Sequence, residues 1–116
     1  MNSSAWRYFE EALATAYKGE ERRAYYLGAV GVRADGTLVK SHNKSTMTPD
    51  RRFHAEYRLV RKLDVGSTVY VARVTKGGNK IACAAPCPSC LNVMAKRGVS
   101  RVYFTVSENE FDWRDL

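Results

Sequence analysis

Apolar residues recur along this chain with two different periods, and these periods predict the order of its elements. Residues 4–18 place Trp6, Phe9 and Leu13 at helical spacing, whereas residues 25–32 form a nearly continuous apolar run. Such a run is typical of a strand that is covered on both faces. The amino-terminal part is therefore predicted to be a helix followed by a buried strand.

The rest of the chain continues this alternation. Asp35-Gly36 predicts a hairpin turn, while Pro88 and Gly98 are suited to the first position and the cap of a helix. The further elements expected are strands at 37–42, 68–75 and 101–106, a short return strand or extended lead-in at 80–85, helices at 51–63 and 88–97, and a ten-residue tail. Helices that alternate with apolar strands predict an α/β sandwich.

The composition is that of a globular protein. The chain has 116 residues, of which 45% are hydrophobic and 27% charged, which predicts one folded domain over 1–116 with a core of its own. No apolar run approaches the roughly 18 residues that a membrane span requires. The first residues also lack the apolar stretch of a signal peptide, so a cytoplasmic location is expected.

The net charge of +7 is widely spread, with one denser patch. The patch consists of Lys44, Arg51, Arg52, Arg58, Arg61 and Lys62. It could meet a nucleotide phosphate or a nucleic-acid backbone. Each of these charges, taken singly, is also explained as an ordinary solvated side chain.

Cysteine spacing provides the first chemical signal. Cys83, Cys87 and Cys90 are the three cysteines of the chain and lie within eight residues. An odd number so tightly grouped indicates metal binding rather than a disulfide framework. His54 and Glu56 precede this group and add a nitrogen ligand and a carboxylate. Together these side chains have the chemistry of a catalytic zinc site, in which three ligands leave one position open for water.

The predicted helices explain how such a site would work. Cys87 falls at the cap position of the helix 88–97 and Cys90 near its third residue, where free N–H groups and the helix dipole favour thiolates. His54 lies at the start of the helix 51–63, so His54, Cys87 and Cys90 could bind one zinc ion that lowers the pKa of a bound water to about 7. Glu56 lies on the apolar stripe of its helix, where a carboxylate needs a functional partner. It would take a proton from the water and deliver it to a leaving amine, which is hydrolytic deamination.

A closed structural zinc site is the alternative, with Cys83 as the fourth ligand. Three observations weigh against it. Cys83 lies in a strand-like stretch and is expected to be a core residue, a second ligand pair of the zinc-ribbon kind is missing, and a closed site gives Glu56 no role.

The motifs His54-Ala55-Glu56 and Pro86-Cys87-Pro88-Ser89-Cys90 resemble those of the cytidine deaminase-like superfamily. The resemblance covers about residues 27–106. It is closest to the histidine-liganded branch, which contains deoxycytidylate, tRNA adenosine and polynucleotide cytosine deaminases. Free-nucleoside cytidine deaminases usually have cysteine at the position of His54.

The resemblance implies a three-layer α/β/α fold with a mixed central sheet and zinc held between two helix starts. It also implies that Asn43 contacts the sugar of the substrate, and that the backbone at Ala55 and Ala85 holds the base edge and its amino group. A turn-forming role is the ordinary explanation of such an asparagine.

The chain departs from the family in three places. Residues 75–82 make the path into the cysteine motif longer than in the tRNA-type enzymes, and Ala85 stands where those enzymes carry glutamate. Both departures favour cytosine over tRNA adenosine. The family's final helix and strand are largely missing from residues 107–116, which predicts a truncated sheet edge that a homo-oligomer could protect.

Three interpretations of the function remain. The first is deamination of a free cytosine nucleotide or nucleoside, with Lys44, Arg51 or Arg52 on a phosphate. The second is deamination of cytosine in single-stranded DNA or RNA. In that case Tyr57, Tyr103 or Phe104 would stack on bases, although core packing explains each of them as well. The third is a nucleic-acid-binding module with structural zinc and no activity. The compact chain favours the first.

Overall fold

The computed structural model describes residues 3–16, 25–42, 59–75, 80–86 and 88–116. The elements in chain order are helix α1 (Ser3–Ala16), strands β1 (Tyr25–Val32) and β2 (Leu38–His42), a short 3-10 helix (Val60–Lys62), strands β3 (Thr68–Thr75) and β4 (Ile81–Ala82), helix α2 (Pro88–Arg97), and strands β5 (Arg101–Ser107) and β6 (Glu110–Asp115).

Most predicted elements are present at nearly the predicted bounds. The strands expected at 25–32 and 68–75 and the helix expected at 88–97 coincide with β1, β3 and α2. Of the helix expected at 51–63, only the last part is described: Leu59 is helical and the 3-10 helix follows it directly. Positions 51–58, like positions 17 and 18 of the first predicted helix, lie outside the described residues.

The strands form one mixed sheet in the order β2-β1-β3-β5-β6, with β4 paired to β3. Strand β1 runs antiparallel to both β2 and β3, and β5 runs antiparallel to β6, whereas β3 and β5 are parallel. The predicted hairpin turn between β1 and β2 is confirmed. Asp35 accepts a hydrogen bond from the Thr37 backbone N–H at 2.9 Å, and Gly36 has a φ of 89°. The turn therefore uses a conformation that glycine adopts without strain.

Helices cover both faces of the sheet, as expected for a three-layer α/β/α fold. Alternate residues of β3 point to opposite faces, so Tyr70 and Ala72 pack under α1 while Val69 and Val71 pack under α2. Helix α1 lies so close to β1 that a Cβ atom at Gly28 would collide with the Ala12 carbonyl oxygen. None of the helices in the described ranges is long and apolar enough to cross a membrane.

The carboxyl-terminal segment corrects one prediction. Residues 107–116 were expected to leave a truncated sheet edge, but most of them form strand β6, which extends the sheet beyond β5. Phe111 and Trp113 alternate with charged residues along β6. Phe111 packs against Trp6 and Phe9 of α1. The contacts of this partly buried ring with α1 explain why the segment pairs with β5 as a strand.

Candidate functional site

The parallel strands β3 and β5 part halfway along their length, and the chain that leads to the cysteine motif lies in the gap. Their ladder runs from Thr68↔Arg101 to Val71↔Phe104. Beyond this point β3 pairs instead with β4, through Arg73↔Ala82 and Val74↔Ile81. Residues 81–85 therefore form an inserted segment, which lies between the carboxyl-terminal halves of two parallel strands. α/β proteins commonly bind ligands at such a place.

Thr105 of β5 holds the inserted segment. Its Oγ1 donates to the Ala82 carbonyl oxygen at 2.8 Å, and its own carbonyl oxygen accepts from the Ala84 N–H at 2.8 Å. The Arg73 N–H of β3 also lies 3.4 Å from this Oγ1. Thr105 is fully buried, so one residue connects three strands in the interior. No sequence pattern distinguishes Thr105 from any other threonine in a strand.

Burial alternates along the segment that follows β4. Ala84 and Pro86 are buried, whereas Cys83 and Ala85 are exposed. The prediction that Cys83 is a core residue is therefore wrong. Side chains alternate between solvent and interior along residues 83–86, and Cys83 takes an outward position in this alternation. Its carbonyl oxygen still lies 3.5 Å from Nη1 of Arg73.

Cys90 is the third residue of α2 and is only 1% exposed. Pro88 begins the helix, which suits proline because the first N–H groups of a helix have no partner within it. The amino end of a helix carries a partial positive charge, which favours a thiolate in the first turn. Met94, one turn further along, is fully buried and anchors this helix face in the core.

The predicted site residues divide into two groups. Ala85 and Cys90 are described. Ala85 belongs to the inserted segment, and Cys90 belongs to α2, the helix that follows it. Asn43, His54, Ala55, Glu56 and Cys87 lie outside the described residues. Within the described ranges no three metal-ligating side chains come together. The half-site that is described fits zinc, because a buried thiol in the first turn of a helix is a typical thiolate ligand.

The described members of the basic patch lie at the opposite end of α2 from Cys90. Arg97, the last residue of α2, donates from Nε to the Leu63 carbonyl oxygen at 3.0 Å, so the 3-10 helix and α2 end side by side. Lys62 donates from Nζ to the Lys40 carbonyl oxygen at 2.9 Å, and Arg61 is exposed nearby. Cys90 and Arg97 are seven residues apart on α2, a rise of about 10 Å. Arg61 and Lys62 therefore lie beside the carboxyl end of α2, whereas Cys90 lies in its first turn. Lys44, Arg51, Arg52 and Arg58 lie outside the described residues.

Two of the three aromatic side chains considered for base stacking are described, and both are engaged in packing. The Tyr103 ring stacks on Tyr70 of β3, with ring centroids 4.7 Å apart and ring planes within 5°. Both rings belong to the α1 face, whereas Cys90 belongs to the α2 face. Phe104 is buried in the core under α2. Tyr57 lies outside the described residues.

A pocket of about 280 Å³ lies at the other end of the parallel strands, where β3 and β5 begin. It is lined by Thr68, Tyr70, Ser100, Arg101, Tyr103 and Asp115. Arg101 donates from Nε to Asp115 at 2.6 Å and from Nη1 to the Tyr103 hydroxyl at 3.2 Å. Burial raises the pKa of Tyr70 to about 12. These groups lie at the start of β5, whereas Thr105 and the inserted segment lie toward its end.

A family of known proteins matches most of the chain. The sequence profile described as "Cytidine and deoxycytidylate deaminase zinc-binding region" matches residues 2–106. A tRNA(Ile)-lysidine synthase from Deinococcus radiodurans is 31% identical over 96 residues, which are 81% of this chain and 16% of that protein. The chain thus spans about a sixth of the length of this relative.

Solved structures show the same fold. The cytidine deaminase from Burkholderia pseudomallei superposes with a TM-score of 0.69 over 95% of this chain and 91% of its own, at 20% identity. The cytidine deaminase from Mycobacterium tuberculosis superposes with a TM-score of 0.58 over 84% of this chain and 82% of its own, also at 20% identity.

Proposed function

Because the chain belongs to the family of the cytidine and deoxycytidylate deaminase zinc-binding region, we propose that it is a zinc-dependent hydrolytic deaminase. The proposed reaction converts cytosine to uracil in a free nucleotide or nucleoside and releases ammonia. The observation that carries the proposal is the half-site around Cys90. A buried thiol stands in the first turn of α2, at the end of a segment inserted between two parallel strands.

The roles of the residues follow from their chemistry. His54, Cys87 and Cys90 would hold the zinc ion, which when bound polarises a water molecule for attack on the base. Glu56 would accept a proton from that water and then donate a proton to the departing amino group. Only a residue that does not bind the metal can serve both steps.

The substrate would be held by groups around the metal. Asn43 would hydrogen-bond the sugar. The backbone at Ala55 and Ala85 would hold the base edge and its amino group. Ala85 is exposed and directly precedes the buried Pro86. The residue before a proline is restricted to extended conformations, so Ala85 would present its backbone in a defined orientation.

Three observations support a free nucleotide or nucleoside. Tyr103 and Phe104 are engaged in packing, which removes two of the three aromatic residues that could stack on bases of a polynucleotide. Arg61 and Lys62 lie at the far end of the helix layer, so they do not line the approach to Cys90. The named structural neighbours are cytidine deaminases that match this chain over most of their own length.

Cytosine in RNA is the second candidate substrate. The observation that favours it is the relative from Deinococcus radiodurans, whose name assigns it to tRNA. The net charge of +7 also suits a polyanionic substrate. A third candidate, a closed structural zinc site, would need Cys83 as a ligand. The exposed Cys83 and the buried Cys90 have different surroundings, which does not favour one shared closed site.

A panel of substrates tests the proposal. Zinc-loaded protein is incubated with dCMP, deoxycytidine, cytidine, and single-stranded DNA and RNA that contain cytosine. Ammonia release and the product mass are then measured. We expect uracil products from at least one of the three monomers and none from the polymers. Activity on RNA alone would select the second candidate, and no conversion of any cytosine substrate would overturn the cytosine assignment.

A further inference from the structure

We propose that Thr105 is a positioning residue that sets where the zinc-binding cysteines of this chain lie. The proposal rests on the proposed function, because it concerns the site that Cys87 and Cys90 are proposed to form. Thr105 touches neither substrate nor metal in this proposal. It acts through the backbone of the segment that ends at those cysteines.

Thr105 lies where the strands β3 and β5 stop pairing with each other. After Val71↔Phe104 the strands β3 and β5 no longer pair with each other, and Thr105 is the first residue of β5 beyond the shared ladder. The pairing of β5 with β6 also becomes irregular directly after Thr105, with a register shift between Thr105 and Ser107. Bulges of this kind redirect strands and often lie next to active sites. Thr105 is therefore located where the sheet opens to admit another segment.

Two hydrogen bonds connect Thr105 to the inserted segment. The Thr105 hydroxyl donates to the Ala82 carbonyl oxygen, and the Thr105 carbonyl oxygen accepts from the Ala84 N–H, both at 2.8 Å. One fully buried residue thus fixes the inserted segment on both sides of Cys83. The second bond is made by the backbone, so any residue at this position could make it. The first requires a hydroxyl, which explains why a polar side chain is buried here.

Ala84 is close along the chain to the proposed metal ligand Cys87. Only Ala85 and Pro86 lie between Ala84 and Cys87, a reach of at most about 11 Å even when the chain is fully extended. Pro86 is buried within this stretch, and Pro88 begins α2. Both prolines restrict the backbone. A shift at Ala82 or Ala84 would therefore be passed on to the cysteines rather than absorbed between them.

Two substitutions at this position test the role. Thr105→Val keeps the shape of the side chain and removes the hydroxyl, whereas Thr105→Ser keeps the hydroxyl. The zinc dissociation constant is measured on the full chain by competition with a chromophoric chelator. Groups that orient metal ligands cost about 10–100-fold in metal affinity when they are lost, so we expect Thr105→Val to bind zinc about 10-fold more weakly. Thr105→Ser should bind zinc like the wild type.

Thr15 of α1 offers a matched control. It is also a buried threonine, and its hydroxyl donates to the Glu11 carbonyl oxygen at 2.9 Å. It lies in the helix on the other face of the sheet from Cys90. Thr15→Val also removes a buried hydroxyl, and its free energy of unfolding is measured beside that of Thr105→Val, whereas its zinc affinity should equal that of the wild type. Equal losses of zinc affinity in Thr15→Val and Thr105→Val would show only a general effect of destabilisation and would overturn the proposal.

A second measurement separates this proposal from the proposed function. If the wild-type chain binds no zinc, the proposed function fails, and hydrogen exchange of the Ala84 amide then decides the role of Thr105. We expect this amide to exchange faster in Thr105→Val than in Thr105→Ser and Thr15→Val. The same exchange rate in all three variants would show that the hydroxyl does not hold the segment.

Discussion

The two faces of the sheet are built from different side chains. The face under α1 is aromatic: the rings of Trp6 and Phe9 lie 5.4 Å apart, Phe9 meets Tyr70 edge-on at 5.7 Å, and Tyr70 stacks on Tyr103. The face under α2 is mainly aliphatic, with Val69, Val71, Val102 and Met94 at its centre. Cys90 belongs to this second cluster.

The difference indicates a division of tasks between the two helix layers. Large rings bury much apolar area and restrain one another, which suits a layer that only stabilises the fold. The aliphatic face instead packs against α2, the helix whose first turn holds the proposed zinc ligand Cys90. Changes on the α1 face should therefore alter stability alone, whereas changes on the α2 face should alter both stability and metal binding.

The largest expected effect on stability is that of Phe9→Ala. Phe9 is fully buried and contacts the rings of Trp6, Tyr70 and Phe111. Removing such a ring leaves a cavity and should lower the free energy of unfolding by about 3–5 kcal/mol. Chemical denaturation measures this loss. Zinc affinity is measured under conditions in which Phe9→Ala is folded, and it should equal that of the wild type. A large drop would show that the α1 and α2 layers are not independent.

Cys90→Ala tests the other face. Loss of a ligand should exceed the roughly 10–100-fold cost of losing a supporting group, so zinc affinity should fall by at least about 100-fold. Cys83→Ala is the matched control, because Cys83 is exposed and has no assigned role. Chelator competition should find its zinc affinity unchanged. A loss in Cys83→Ala as large as in Cys90→Ala would instead favour a closed four-ligand site.

Gly98→Ala should have an intermediate effect. Gly98 follows α2 with a φ of 96°, and a Cβ atom there would lie 2.8 Å from a side-chain atom of Val65. The positive φ alone costs a residue with a Cβ about 1–2 kcal/mol. Gly36→Ala provides the comparison, because Gly36 has a φ of 89° and nothing within 4 Å of the added Cβ. Thermal unfolding should show the greater loss for Gly98→Ala, and equal losses would mean that the contact with Val65 relaxes.

The smallest effect is the pH dependence that Tyr70 contributes. Burial raises the pKa of Tyr70 to about 12. Above the ordinary tyrosine pKa of about 10, the unfolded chain releases a proton that the folded protein retains, so stability is full below that pH and falls as the pH rises toward 12. Tyr70→Phe lacks this ionisation. Denaturation at pH 9 and 11 should find a smaller decline in stability for Tyr70→Phe than for the wild type, and identical declines would contradict the raised pKa of Tyr70.

Much of the fold was predictable because periodicity reports burial. The nearly continuous apolar run of β1, the apolar residues at the centre of β3, and the proline and glycine that bound α2 identified these elements with their observed bounds. Strand β6 was missed although Phe111 and Trp113 alternate with charged residues. Six residues of alternation are a weak local signal. The strand forms because β5 supplies a partner and Phe111 packs under α1.

The candidate site was predictable in its chemistry and less so in its supports. Pro88 as the predicted first residue of a helix placed Cys90 in its first turn, which the structure confirms. Cys83 was misplaced because a two-residue strand gives no pattern from which to determine which side chains face inward. The role proposed for Thr105 depends on where β3 and β5 part. That is a property of the assembled sheet, and no local sequence pattern encodes it.

The most direct test of the central claim compares the wild type with Glu56→Ala in one assay, with zinc content and uracil formation measured on the same samples. Both proteins should bind one zinc ion per chain, because Glu56 is not proposed as a ligand. Removal of a general acid–base group should lower turnover by about 10²–10⁴-fold. Zinc-loaded Glu56→Ala that forms uracil at the wild-type rate, or that loses the metal, would contradict the account.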